Sequence, residues 1–216
     1  HPVKWFKNLF YNCECIKSIK FNNFYKHNIN DMSDMFLGCS ALYKINFSNF
    51  KTNNVTNMSG MFAGCSSLNE LNLSNFNTNK VTDMSKMFYI CSSLKKLYIS
   101  NFNTSNVTNM ECMFFKCYLL KELELSNFNT NNVTNMRYMF WRCSSLEKLN
   151  VSNFNINKVT DMMNMFNRCN SLKQLNLFNL NNNNNICLNG MFNNIYTSLP
   201  HNIRTLYKDI PKEAFH

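Results

Sequence analysis

Residues 81–106 read VTDMSKMFYICSSLKKLYISNFNTSN, and this stretch decides the fold because the chain repeats it every 26 residues. Met84, Met87, Phe88 and Cys91 fall at i, i+3, i+4 and i+7, the spacing of one apolar helix face. Thr82 stands where an N-cap belongs, with Asp83 behind it at the positive end of the predicted helix. Ser92 and Ser93 end the segment. Leu97-Tyr98-Ile99 then alternates with the two-residue period of a short strand, and Leu94 and Phe102 flank it. One unit is therefore expected to be a strand, a turn, a helix of about two turns and a second turn. A helix that short is unstable alone and has to be held by stacking.

Outward from this unit the register holds without slippage. Cysteine recurs at Cys13, Cys39, Cys65, Cys91, Cys117, Cys143 and Cys169, and a Met-Phe pair keeps step from Met35-Phe36 to Met191-Phe192. Thr56, Thr108, Thr134 and Thr160 repeat the expected cap. Asn49, Asn75, Asn101, Asn127, Asn153 and Asn179 precede the Phe column or its equivalent, where an amide can satisfy backbone groups buried in the turn. Self-similarity at this period means a solenoid in which each turn buries its apolar side against its neighbours. The fold class is an α/β solenoid, leucine-rich-repeat-like, with parallel strands on one face and short helices on the other. Residues 1–198 form it: a degenerate repeat at 1–28, six full repeats at 29–184 and a partial one at 185–198. Residues 199–216, with Pro200 and Pro211, read as a C-terminal cap or tail. Seven strands at strand spacing give a stack roughly 30–35 Å long. Only the run Asn181 to Asn185 reads as low complexity.

Composition narrows the function classes. The formal charge of +10 suits an acidic partner, but charged residues are only 16% of the chain, so it is not a densely basic arm. Nucleic acid rests on net charge alone and is the less favoured partner. No run approaches the ~20 apolar residues of a membrane helix. The chain begins at His1 rather than Met and shows no leader, so it reads as a processed or partial product.

Enzyme chemistry finds little footing, and no cofactor is called for. The four histidines are His1, His27, His201 and His216, outside the central repeats, and only His27 lies near a repeat cysteine. A 26-residue cysteine spacing lacks the short pairs of a zinc site. It reads instead as small buried thiols filling an inner turn, with Cys15, Cys112 and Cys187 as the candidate reactive or bridging thiols. Asp31, Asp83 and Asp161 share a column with Asn57, Asn109 and Asn135 and read as caps rather than an acid/base pair. The Asn-x-Thr triplets, such as Asn106-Val107-Thr108, arise from the repeat itself.

Function is expected where a column departs from the repeat. In the strands, Lys44, Glu70, Lys96, Glu122 and Lys148 alternate in sign, which reads as cross-strand support. Ahead of the cysteines, Tyr89, Phe115 and Trp141 stand beside Ile90, Lys116, Arg142 and Arg168. Stacked cations cost energy unless an anion or solvent relieves them. Two readings are open: a mixed aromatic and basic binding patch made of Tyr89, Phe115, Lys116, Trp141, Arg142 and Arg168, or aromatics packed locally with solvated cations.

The units MSGMFAGCSSLNELNLSNFNTNKVTD (58–83) and MRYMFWRCSSLEKLNVSNFNINKVTD (136–161) resemble the BspA-type leucine-rich-repeat surface proteins, in the subgroup with 26-residue repeats. The resemblance implies a solenoid displayed outside the cell that serves adhesion or another binding task and is not an enzyme. It implies protein or acidic glycan on a host or matrix surface as the partner. The chain departs from that group in showing neither a lipoprotein cysteine at its start nor a wall-anchoring signal at its end. The alternative is a structural subunit whose solenoid ends self-associate into an extracellular fibre or sheath, since repeats in register at both ends are templates for stacking.

Overall fold

A computed structural model of the chain describes residues 6–21, 28–48, 50–178, 180, 186–195, 210 and 212–216. Seven short strands carry one side of each turn: β1 (Ser18–Lys20), β2 (Lys44–Asn46), β3 (Glu70–Asn72), β4 (Lys96–Tyr98), β5 (Glu122–Leu123), β6 (Lys148–Asn150) and β7 (Gln174–Asn176). They pair in parallel as β1–β2, β3–β4 and β5–β6–β7, and Ser18 faces Lys44, Glu70 faces Lys96 and Lys148 faces Gln174. Each step is the 26-residue repeat. A second row of parallel bridges runs unbroken through Asp31, Asn57, Asp83, Asn109, Asn135, Asp161 and Cys187.

The predicted helices do not form: among the described residues there is no α-helix. The segment from Met84 to Cys91 is a succession of β-turns. Met87, Tyr89 and Cys91 donate their N–H groups three residues back, to the carbonyls of Met84, Lys86 and Phe88. The alternate residues Met84, Lys86, Phe88 and Ile90 donate instead to Asn109, Glu111, Met113 and Phe115 in the next repeat, at 2.8–3.1 Å. An α-helix spends its N–H groups within itself; this ribbon spends half of them on its neighbour, which holds a segment too short to be a helix on its own. The apolar spacing of 84, 87, 88 and 91 comes from a ribbon with a four-residue period, in which turns start at every second residue and alternate ones hold a left-handed residue.

Those turns need a left-handed residue at every fourth place, as the third position of a type II turn does. Lys86 (φ 57°) and Ile90 (φ 55°) fill it here, and Gly60 and Gly64 fill it one repeat earlier. For an L-residue this costs roughly 1–2 kcal/mol, offset by the inter-repeat bonds.

Thr82 is not a helix cap, because its hydroxyl donates to the Thr56 carbonyl of the preceding turn (3.2 Å). The Asp/Asn column does cap: Asp83 Oδ1 accepts from the Ser85 N–H at 2.8 Å, and Asn109 and Asn135 do the same for Glu111 and Arg137. Asn75, Asn101, Asn127 and Asn153 each donate a side-chain amide to the Phe carbonyl of the previous turn (Asn101 to Phe76, 2.6 Å), the role their position predicts. Asn49 and Asn179 lie outside the described residues.

One contiguous core fills the solenoid. Phe36, Phe62, Phe88, Phe114, Phe140, Phe166 and Phe192 stack ring on ring, with centroids 5.4–6.0 Å apart and planes within 13°. The methionine columns are fully buried beside them. All ten cysteines are free thiols. In the buried column each Sγ–H donates to a Phe carbonyl, as Cys91 does to Phe62 at 3.2 Å. Burial raises the thiols of Cys117 and Cys169 to about 12.

At the C-terminal end, the Gly190 and Phe192 N–H groups donate to the carbonyls of Glu213 and Ala214, both at 2.7 Å. Phe215 stacks on Phe192 at 5.7 Å. The predicted 181–185 tract and most of 199–216 lie outside the described residues. Among the described residues no helix is long and apolar enough to cross a membrane.

Candidate functional site

Because the turn ribbon advances one repeat per strand spacing, any side chain held at one register position is stacked on its equivalents. Tyr89, Phe115 and Trp141 share such a position. Their rings lie face to face, 4.7 Å and 4.5 Å between centroids and 16° and 14° between planes, forming a half-buried ladder across three turns. At the same position earlier turns place Leu37 and Ala63, and the following turn places Asn167, so the ladder is confined to these three repeats.

The cations predicted beside it are gathered unequally. Lys116 Nζ is 5.5 Å from the centroids of both Phe115 and Trp141; equidistant from two stacked rings, it lies beside the stack rather than on a free face. The Arg142 guanidinium stands 4.8 Å from the Trp141 centroid. Arg168 continues the column but is exposed, beside the buried Asn167 rather than a ring. Lys116 and Arg142 hold the left-handed position of their turns (φ 58° and 57°), as Gly38 and Gly64 do earlier, so these long side chains sit where the backbone favours glycine. Among the described residues no carboxylate pairs with Lys116, Arg142 or Arg168; the ion pairs are Arg137–Asp161 (3.7 Å) and Lys173–Glu147 (2.8 Å).

The structure adds members that the repeat analysis missed. Tyr138 packs edge-on against Phe115 and Trp141, with planes 85° and 88° apart. The Arg137 guanidinium lies 4.9 Å from the Tyr138 ring. With Lys86, Glu111 and Cys112 these residues and the ladder line an open groove of about 380 Å³. Arg137-Tyr138 replaces Ser59-Gly60 and Ser85-Lys86 at the same register, a departure as visible in the sequence as the ladder itself. Burial, and then the Cys112 thiol, raise the Tyr89 phenol. A hydrogen bond with Tyr138 is the main cause that raises Arg137.

Cys112 is not the reactive thiol its off-column position suggested. It is 6% exposed, and burial first, then Glu111, push it up to about 12. Cys15 is exposed and Cys187 half-buried. On the strand side the expected register holds, with Glu70 opposite Lys96 and Glu122 opposite Lys148. The close ion pair falls one residue earlier, between Glu147 and Lys173, and holds the Glu147 carboxyl below its usual range.

A family model described as "Mycoplasma protein of unknown function, DUF285" matches residues 4–98 and again 93–205. The chain belongs to the DUF285 family. Two successive matches cover both halves of the solenoid, as expected where one short unit recurs throughout. No curated protein matches the chain.

Proposed function

We propose that this DUF285 chain is a non-enzymatic, surface-displayed binding or adhesion module that engages protein or glycan partners through its solenoid. The observation that carries this is the half-buried strip of Tyr89, Phe115 and Trp141 with Lys116 and Arg142, where otherwise small or apolar columns become aromatic and basic. Aromatic and arginine side chains that are partly desolvated are the usual anchors of recognition. The repeat cysteines are unfitted for nucleophilic work, since burial keeps Cys91 and Cys143 protonated. Display outside the cell is what the resemblance to BspA-type leucine-rich-repeat surface proteins implies.

Trp141→Ala and Arg142→Ala are each expected to weaken binding to host-cell or matrix preparations about tenfold or more while leaving the unfolding midpoint within a few degrees of the parent. Undiminished adhesion by the double variant, measured by surface capture, would remove the strip from the reading. End-to-end assembly is the less supported alternative, because donors that a stacked copy would meet at Gly190 and Phe192 already pair with Glu213 and Ala214.

A further inference from the structure

We infer that the strip is a site for a linear acidic polysaccharide carrying carboxylates on its sugar rings, laid along the solenoid axis; this rests on the binding reading above and names its ligand. The ladder has spent its inner ring faces on itself. Between Tyr89 and Phe115, and between Phe115 and Trp141, centroid separations of 4.7 Å and 4.5 Å admit no third plane. Arg142 stands against the Trp141 ring. A base or a neutral sugar that recognises aromatics by stacking on their faces therefore finds no room between the rings. Solvent meets ring edges, and the edge is the positive part of an aromatic quadrupole.

Charge points the same way. Lys86 and Arg137 line the groove beside the rings, Lys116 and Arg142 stand against the ladder, and Arg168 extends their column by one turn. Against these five cations stand Glu111 and Asp161. Asp161 is already engaged by Arg137 and by the Met163 N–H. An anion relieves the repulsion within the cation column without reorganising the rings.

Spacing chooses among anions. The column presents one cation per solenoid turn, a step of about 4.8 Å. An extended acidic peptide sets side chains on one face about 6.6–6.8 Å apart, twice its rise per residue, and falls out of step. A pyranose unit advances an extended polysaccharide by about one such turn; because its rings also turn about the chain axis, carboxylates on one face recur after a whole number of rings, and so stay in step with every second or third repeat.

The test uses the full chain in a Trp5→Phe background, leaving Trp141 as the only indole reporter. An oligogalacturonate is titrated by fluorescence, with its methyl ester and polyglutamate as controls. The expected result is saturable quenching by the oligogalacturonate that weakens steeply with salt, with no response to the ester. Arg142→Ala should weaken it about tenfold, and Glu111→Gln, which removes a carboxylate from the groove, should strengthen it. Equal or tighter binding of polyglutamate overturns the polysaccharide assignment, and equal binding of the ester overturns the anionic one. Oligogalacturonate binding unaltered by Arg142→Ala and Glu111→Gln places it elsewhere and overturns this inference too. If no quenching occurs yet cell or matrix adhesion still depends on Trp141, the ligand class is wrong and the binding strip stands. If adhesion is independent of Trp141 and Arg142 as well, both fail.

Discussion

Thr104 holds both backbone groups of Asn129 with one hydroxyl, donating to its carbonyl and accepting from its N–H, each at 2.8 Å. Thr52, Thr78 and Thr130 repeat the arrangement, and all four side chains are buried. Thr104→Val keeps the shape and strands both partners, so it is expected to cost about 1–2 kcal/mol in urea unfolding, whereas Thr104→Ser should recover most of that. An unchanged midpoint for the valine variant would mean that water replaces the hydroxyl. The equivalent residue one turn after Thr130 is Ile156, so the repeat itself tolerates the loss once. At this scale the sequence was legible where chemistry has one outlet. An Asn before a buried Phe has backbone carbonyls to serve, and it serves them. It misled where a residue has two outlets: Thr82 fits a helix cap or an inter-turn ladder, and only the neighbouring turn, invisible in a local window, decides for the ladder.

The cysteine column is the element whose behaviour a titration reads most directly. Burial raises the thiols of Cys117 and Cys169 to about 12, and those of Cys91 and Cys143 well above the usual value. The sign follows: folded values lie above the unfolded ~8.5, so stability is fully present below that pH and falls as pH rises through the window from about 8.5 to 12. Over that window each fully buried thiol removes about 1.4 kcal/mol per pH unit. Under reducing conditions, the unfolding free energy should drop steeply between pH 8.5 and 10.5, and Cys117→Ala should make the slope shallower by one thiol's share. Identical slopes would show that other groups govern alkaline unfolding. The element itself was half legible. Its apolar periodicity marked the buried face correctly, because i, i+3, i+4 and i+7 describe one side of a helix and one side of this turn ribbon equally. The hydrogen-bond partner distinguishes them, and it lies 25 residues away. The left-handed sites were hinted at by Gly60 and Gly64 but disguised by Lys86 and Ile90 at the same positions. The ladder at Tyr89, Phe115 and Trp141 was readable as a column, since stacking follows from register alone. Arg137 and Tyr138 became part of the site only when the ribbon's true geometry brought that register position against the rings.

Across the whole molecule the ribbon is polar: the inter-repeat N–H groups of Met84, Lys86, Phe88 and Ile90 all point toward the following turn, and the same holds from Asn8 to Arg168. A turn at the C-terminal side of such a stack is a row of donors, and at Gly190 and Phe192 that row is closed by the carbonyls of Glu213 and Ala214, with Phe215 against Phe192. Ala214 is fully buried there. Residues 212–216 thus supply in miniature what a further repeat supplies elsewhere, carbonyl acceptors and a stacked phenyl ring. Removing residues 210–216 should therefore lower the unfolding midpoint and turn the last repeat into a template, because unpaired donors beside an exposed aromatic face recruit another chain. Light scattering over a wide concentration range is the check. The parent should hold a mass near 25.5 kDa, and the truncated chain should grow with concentration. Growth confined to the truncated chain would make the C-terminal segment the element that keeps a repeating template monomeric and its lateral face free to bind. A truncated chain that stays monomeric would instead show that donor rows alone do not drive stacking, whereas growth of the parent itself would return the solenoid ends to the centre of function.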